Sequence, residues 1–192
     1  MRKGIFLDRD GVINPNIFNP STGEWESPHH PEDLELFPWS LESLRKLRGN
    51  NFYLFLVSNQ PSYAKGKVLL EDIKIVHEKL HSILAENKII FTEYYYCYHH
   101  PQGIVPGVSI SCSCRKPGIL FLEEARRKYS LDMGLSWMIG DRDSDILCGQ
   151  KAGVRTILIL NPEELTAKKA GKSSPNFEVN SLAEAVDIIL KA

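Results

Sequence analysis

Long apolar runs are missing from this chain of 192 residues. No stretch approaches the ~20 consecutive apolar residues that a helix needs to cross a bilayer. An excess of one charge is missing too: 23 basic against 24 acidic residues leave a formal net charge of -1. That balance offers no basic stripe to a nucleic acid and no patch to an anionic membrane surface, so an anionic substrate must be held by local cations. The start, Met1-Arg2-Lys3-Gly4, has neither the apolar stretch of a secretory signal nor a small-residue cleavage site. Cytoplasmic residence and reduced thiols are therefore expected. No internal repeat or dividing linker interrupts the chain, and a single domain over residues 1–192 is the expectation.

What is present is ordered as alternating strands and helices. Gly4–Asp8 is an apolar strand, and the stretch 12–37, rich in Pro, Asn and His, reads as irregular. Pro38 starts a helix with Leu41, Leu44 and Leu47 on one face, and Tyr53–Val57 is a second buried strand. Leu70–Glu86 carries Ile73, Val76, Leu80, Ile83 and Leu84 at helical spacing. Then come a strand at Glu93–Tyr96, a helix at Ile119–Tyr129, strands at Ser136–Ile139 and Arg155–Leu160 around a short helix near Asp143–Ala152, and a closing helix at Leu182–Leu190. Lys168–Ser174 reads as a mobile polar loop. Such alternation predicts an α/β fold: a three-layer, Rossmann-like parallel sheet with helices on both faces.

The carboxyl ends of these strands collect chemistry. Asp8 and Asp10 flank one residue and precede Gly11; at strand spacing both face one site beyond the strand end, where open α/β sheets bind ligands. Two carboxylates so placed repel each other unless a divalent cation binds or one keeps its proton. Ser58-Asn59-Gln60 ends the second strand with groups that can donate to phosphate oxygens, although such a triplet also makes an ordinary turn. Arg115-Lys116-Pro117 puts two cations before a helix N-terminus, a favourable place for an anion. Gly140-Asp141-Arg142-Asp143-Ser144-Asp145 adds a third acidic cluster, in which Asp143 or Ser144 can also serve as a helix cap.

Each motif is common by itself. The ordered set D-x-D-G, S, K and G-D-x-x-x-D, met by Asp8/Asp10, Ser58, Lys116 and Asp141/Asp145, resembles the haloacid dehalogenase superfamily of phosphotransferases over roughly residues 4 to 160. The resemblance implies an Asp8 nucleophile that forms an aspartyl-phosphate, with Asp10 as acid and base. It implies Mg²⁺ held by Asp8, the backbone carbonyl of Asp10 and Asp141, with Asp145 in support. Lys116 and Ser58 would hold the transferring phosphoryl group, and Asn59 and Arg142 would line the substrate.

Three of the four cysteines lie close together, as Cys97-Tyr98-His99 and Cys112-Ser113-Cys114. Each pair of outer residues shares one side of an extended segment, so Cys97, His99, Cys112 and Cys114 can surround one point and suit a structural, tetrahedral Zn²⁺. Free thiols or a disulfide are the alternatives. His100 should point away, and Cys148, within a short helix, reads as a small buried hydrophobe. With His99-His100-Pro101-Gln102-Gly103 and Cys114-Arg115-Lys116-Pro117, this segment resembles the branch that holds heptose-bisphosphate and histidinol-phosphate phosphatases. There a zinc-bound loop stands in for a separate cap domain, and Arg115 would reach a remote part of a small sugar-phosphate substrate. A monomer without nucleic-acid or membrane partners is expected. The alternatives are histidinol phosphate as substrate, another small phosphomonoester, or a non-catalytic phosphosugar-binding protein.

Two departures from that pattern border the substrate. Pro61 removes a backbone N–H where the relatives have serine, and Ser62 stands for a glycine. The loop through Phe18–Ser27 is longer than usual. His29 and His30, beside it, read as solvated or capping residues.

Overall fold

The computed structural model describes residues 1–161 and 173–192. Its centre is a six-stranded parallel sheet in the order β5-β4-β1-β6-β7-β8. The strands are β1 (Lys3–Leu7), β4 (Phe52–Asn59), β5 (Glu93–Cys97), β6 (Trp137–Gly140), β7 (Arg155–Ile159) and β8 (Phe177–Val179). A separate antiparallel hairpin pairs β2 (Ile17–Asn19) with β3 (Glu24–Glu26).

Strand alternation sorts the core into two layers. Ile5, Leu7, Leu54, Leu56 and Ile139 point to one face, where they meet α1 (Ser40–Gly49), α2 (Leu70–Glu86) and α5 (Leu182–Lys191) through Leu44, Leu47, Leu80 and Val186. Phe6, Phe55, Val57 and Met138 point to the other and meet α3 (Leu120–Tyr129) and α4 (Asp143–Ala152) through Leu122, Ala125 and Ala152. Both faces are covered, as a near-continuous apolar run in a parallel strand requires. Cys148 packs in the second layer, fully buried, and its thiol donates to the Gly118 carbonyl.

Two features differ from the sequence reading. The stretch 12–37 contains the hairpin and a 3-10 turn at Pro31–Asp33, so it is not wholly irregular. β8 was invisible because three residues at a sheet edge carry too little alternation to register. Most of Lys168–Ser174 lies outside the described residues. No helix among the described residues is long and apolar enough to cross a membrane.

Candidate active site

The chain after β1 coils back on itself. The amides of Val12, Ile13 and Asn14 all donate to the Arg9 carbonyl, at 3.3, 2.8 and 3.2 Å. Gly11 sits at φ +79°, and a Cβ there would lie 2.4 Å from an Asp141 carboxylate oxygen, so glycine is what lets the first and fourth motifs touch. Gly140 makes the matching approach: a Cβ on it would lie 2.1 Å from the Asp145 Cβ. These two glycines draw Asp8, Asp141 and Asp145 together, with ligand oxygens within 4.8 Å of one another.

Lys116 closes this floor. Its Nζ lies 2.9 Å from Asp8 Oδ2 and 2.6 Å from Asp145 Oδ1, and donates to the Val57 carbonyl at 2.6 Å. Burial alone would strip the lysine of its proton, but the flanking carboxylates Asp145 and Asp8 hold its pKa above the ordinary value. Burial pushes Asp8 upward, Lys116 pulls it down, and its acidic neighbours leave it above the usual carboxylate range. Asp145 also caps α4, its Oδ2 accepting from the Arg142 amide at 3.0 Å. That position, rather than Asp143 or Ser144, supplies the cap.

Asp10 faces a different environment. Its carboxylate accepts from Arg9 Nε and Nη2, Asn14 Nδ2, Ser27 Oγ and Gln60 Nε2, at 2.9, 3.1, 2.9, 2.9 and 2.7 Å. Burial works against its charge, yet Arg9 and the amide donors hold its pKa below the usual value. Arg9, fully buried, also contacts His77 Nδ1 at 3.1 Å. His77 stacks on Tyr96 at 3.6 Å between centroids, and burial and the Arg9 charge push its pKa down to about 3.

The second cluster stands where the sequence put it. The donor atoms of Cys97, His99, Cys112 and Cys114 lie within 4.8 Å of one another, and Cys114 Sγ is 3.3 Å from both other sulfurs. Three soft sulfurs and an imidazole suit a closed tetrahedral zinc, whereas the Asp8, Asp141 and Asp145 oxygens suit a hard ion such as Mg²⁺. His100 stays outside, its Nδ1 accepting from the Gln102 amide. Arg115, next in the chain, donates to the His99 carbonyl at 3.3 Å, so the cluster's geometry fixes the arginine.

Above the floor lies a cavity of about 490 Å³, lined by Asp8, Asp10, Lys116, Lys65, Arg115 and Arg142 among others. A family model described as HAD-hydrolase-like matches residues 113–185. The D-glycero-alpha-D-manno-heptose-1,7-bisphosphate 7-phosphatase of Photorhabdus laumondii is 31% identical over 185 residues, covering 95% of this chain and 97% of that one. The corresponding beta-anomer enzyme of Escherichia coli K12 is 31% identical over 188 residues, covering 97% and 93%. Among solved structures, the D,D-heptose 1,7-bisphosphate phosphatase of B. bronchiseptica, complexed with magnesium and phosphate, superposes with a TM-score of 0.77 at 26% identity, covering 98% of each chain.

The chain belongs to the HAD-like phosphatases.

Not every residue expected at the substrate of this phosphatase faces the cavity. Asn59 lines it, but its amide clamps the Lys116 main chain from both ends, donating to the carbonyl at 3.1 Å and accepting from the amide at 3.0 Å. That occupancy fits a residue positioning Lys116 better than a substrate ligand. Ser58 is buried and accepts from Gln60 Nε2 at 2.9 Å. Arg142 lines the cavity with its side chain half exposed, 4.0 Å from Asp141.

Other residues at the HAD-like phosphatase site escaped the sequence reading. Lys65, which lines the cavity, feels burial and then the charges of Lys67, Arg115 and Arg142, which together hold its pKa below the usual lysine value. Glu24, Trp25 and Glu26 reach the cavity from the hairpin. His29 is half-buried and bonded to Ser62 at 2.9 Å, neither solvated nor capping, whereas His30 is exposed. Their one sequence signal was the length of the loop; which residue meets which depends on the turn of the hairpin.

Proposed function

We propose that this protein removes the 7-phosphate of D-glycero-D-manno-heptose 1,7-bisphosphate through an aspartyl-phosphate on Asp8, in the biosynthesis of nucleotide-activated heptose, with Mg²⁺ at the reacting centre and Zn²⁺ in the thiol cluster. The observation that carries this reading is the placement of Asp8, bound to Lys116, beneath a cavity whose wall offers Lys65, Arg115 and Arg142. One phosphate at the floor and a second anion at that wall match a sugar bisphosphate, the substrate class named for the relatives.

A carboxylate attacks a charged phosphate only where cations cancel the repulsion. Lys116 supplies one such charge, fixed by two carboxylates and a carbonyl rather than by solvent, and so needs little reorganisation as the reaction proceeds. Asp8, Asp141 and the Asp10 carbonyl would hold the magnesium ion, with Asp145 in support; when bound, it supplies further positive charge and keeps Asp8 ionised. An Asp8 oxygen forms a bond to phosphorus as the bond from phosphorus to the sugar oxygen breaks, and Asp10 gives that oxygen a proton. Asp10 then takes a proton from water, whose oxygen attacks phosphorus and releases phosphate and Asp8.

The surroundings of Asp10 favour the second half of this cycle at rest, since five donors stabilise its carboxylate. A phosphate dianion arriving beside it raises its affinity for a proton, which is the form needed for the first half. The zinc would be closed by Cys97, His99, Cys112 and Cys114, with no open position for a reacting water. When bound it would hold Arg115 at the cavity wall and Lys116 in the floor.

Phosphate release should be measured with both anomers of heptose 1,7-bisphosphate, histidinol phosphate and mononucleotides. The bisphosphate is expected to lead in kcat/KM. In addition, Arg115→Ala should lose far more activity on the bisphosphate than on p-nitrophenyl phosphate, which has no second anion for the arginine to orient. Preference for histidinol phosphate, whose amine would face three cations, overturns the reading. Equal losses in the arginine variant mean that Arg115 serves the transferring phosphate alone.

A further inference from the structure

Lys67 ties two cavity-lining loops together. Its Nζ lies 2.5 Å from Glu26 Oε1 and 3.2 Å from Glu24 Oε2, both on strand β3 of the hairpin. A second stitch, His29 Nε2 to Ser62 Oγ at 2.9 Å, joins the chain just after the hairpin to the same loop as Lys67. A third runs from Ser27 to Asp10 on the floor, at 2.9 Å.

The two partners differ in stiffness. The loop bearing Lys67 is braced within itself, Lys65 N to Pro61 O at 2.9 Å and Lys67 N to Ser62 O at 2.9 Å. It is also braced from outside, because the Ala64 carbonyl accepts from the amides of Ile104 and Val105 in the thiol-cluster loop, at 2.7 and 3.2 Å. The hairpin is tied through side chains instead, from Asn19 and Thr22 to Glu26 within it and through Lys67, His29 and Ser27 beyond it. Its turn is exposed, Phe18 is half exposed, and its two strands of three residues pair only with each other. An isolated two-stranded ribbon is marginal in water. The contacts from the rigid loop, together with Ser27 on Asp10, therefore hold it over the cavity.

The charges fit that role. Glu26 is partly shielded, and although burial pulls against its charge, its bonds from Lys67, Thr22 and Asn19 hold its pKa below the ordinary value. Lys67 is held above its own ordinary value by the same carboxylates, against the pull of burial. Both partners stay charged across the neutral range. The clasp also occupies Glu26 and one oxygen of Glu24, so the hairpin adds little free negative charge to a cavity meant for anions.

We propose that Lys67 is a positioning residue that latches the hairpin over the cavity and thereby restricts this phosphatase to phosphomonoesters small enough to fit beneath it. The proposal rests on the phosphatase reading but not on the choice of sugar. Where the described residues form no separate cap domain, this contact gives the cavity a fixed roof built from one hairpin and one ion-pair cluster.

The test compares the intact protein with Lys67→Met, Lys67→Arg and a variant whose Ile17–Glu26 hairpin is replaced by a short turn. Each is assayed on p-nitrophenyl phosphate, on the sugar bisphosphate and on a bulky phosphotyrosyl peptide. Lys67→Met is expected to raise the peptide's kcat/KM relative to that of p-nitrophenyl phosphate several-fold, up to about tenfold, the scale of two partly exposed ion pairs lost together. KM for the bisphosphate should rise more than kcat falls. The shortened hairpin should give the larger shift, and Lys67→Arg should restore selectivity. If the shortened form does not fold, Lys67→Met still decides, since it is one substitution at a partly exposed side chain. A peptide-to-nitrophenyl ratio unchanged in Lys67→Met overturns the proposal, as does loss on all three substrates in equal proportion. An intact protein that hydrolyses none of them overturns the function reading instead.

Discussion

The floor and the roof of this cavity are held by opposite means. The floor is dry: Asp8, Asp10, Lys116, Asp141 and Asp145 are all buried, in the turns after β1 and β6, the first turn of α4 and the loop before α3. The roof is wet: Glu24 is mostly exposed, Lys67 partly so, and the contacts between them join loops. Ion pairs in water contribute little, about 0–1 kcal/mol each, whereas breaking a buried pair strands a charge and costs ~3–5 kcal/mol. On the proposed reading, chemistry that must not drift lies in the first region, and selection, which need only bias a population of substrates, lies in the second.

That division breaks first at Asp8. Asp8→Asn is expected to abolish turnover and the base-labile phosphoryl adduct, since an amide cannot be the nucleophile and Lys116 keeps only Asp145 as its acidic partner. Asp10→Asn should slow both halves of the cycle, by ~10²–10⁴-fold, the usual worth of general acid–base help. Rapid-quench assays of phosphate release with ³²P-labelled substrate measure both. Near-normal turnover by Asp8→Asn ends the aspartyl-phosphate reading.

The thiol cluster joins floor to roof, and its loss should be the next largest effect. Metal analysis is expected to find about one zinc per chain. Cys112→Ser should lose it, lower the melting temperature and, by releasing Arg115 from the His99 carbonyl, reduce kcat/KM on the bisphosphate. Full zinc occupancy in that variant, or a disulfide in protein purified under reducing conditions, contradicts the assignment.

How far each region was legible follows from where its contacts lie. The floor could be read because its residues announce themselves in short windows where a strand gives way to a turn: D-x-D-G just after β1 and G-D-x-x-x-D from the end of β6. The two Cys-x-His or Cys-x-Cys pairs worked the same way. Arg9 stood in plain view between Asp8 and Asp10, yet the strand period says nothing of a residue already in the turn, and there it folds back onto Asp10. Asn59 was assigned to substrate because its type suits phosphate; that its amide also clamps the Lys116 main chain depends on a partner 57 residues away. Lys65, Lys67 and Glu26 were missed for the same reason. Specificity written in contacts between loops has no local period to betray it.

Acid should separate the two regions once more, through stability rather than turnover. Beneath the floor, His77 supports Arg9, and burial and the Arg9 charge hold its folded pKa down at about 3 against an ordinary 6.5. A depressed histidine gives stability that is fully present above pH ~6.5, because the unfolded chain binds a proton below that value and the folded one does not. The contribution is lost progressively as pH falls from 6.5 toward 3, at up to about 1.4 kcal/mol per pH unit. In the roof, Glu26 is depressed from 4.5, so its contribution is present above that value and is lost only as pH drops through its lower folded value. Urea unfolding between pH 7 and 4.5 should therefore show a decline from His77 while the clasp stays charged. His77→Gln, which keeps an acceptor toward Arg9, should flatten that decline, and the difference between the two curves isolates the histidine from every other titrating group. Parallel curves for the two proteins would mean that His77 takes up its proton in the folded state without penalty, and that the floor tolerates a second cation beside Arg9.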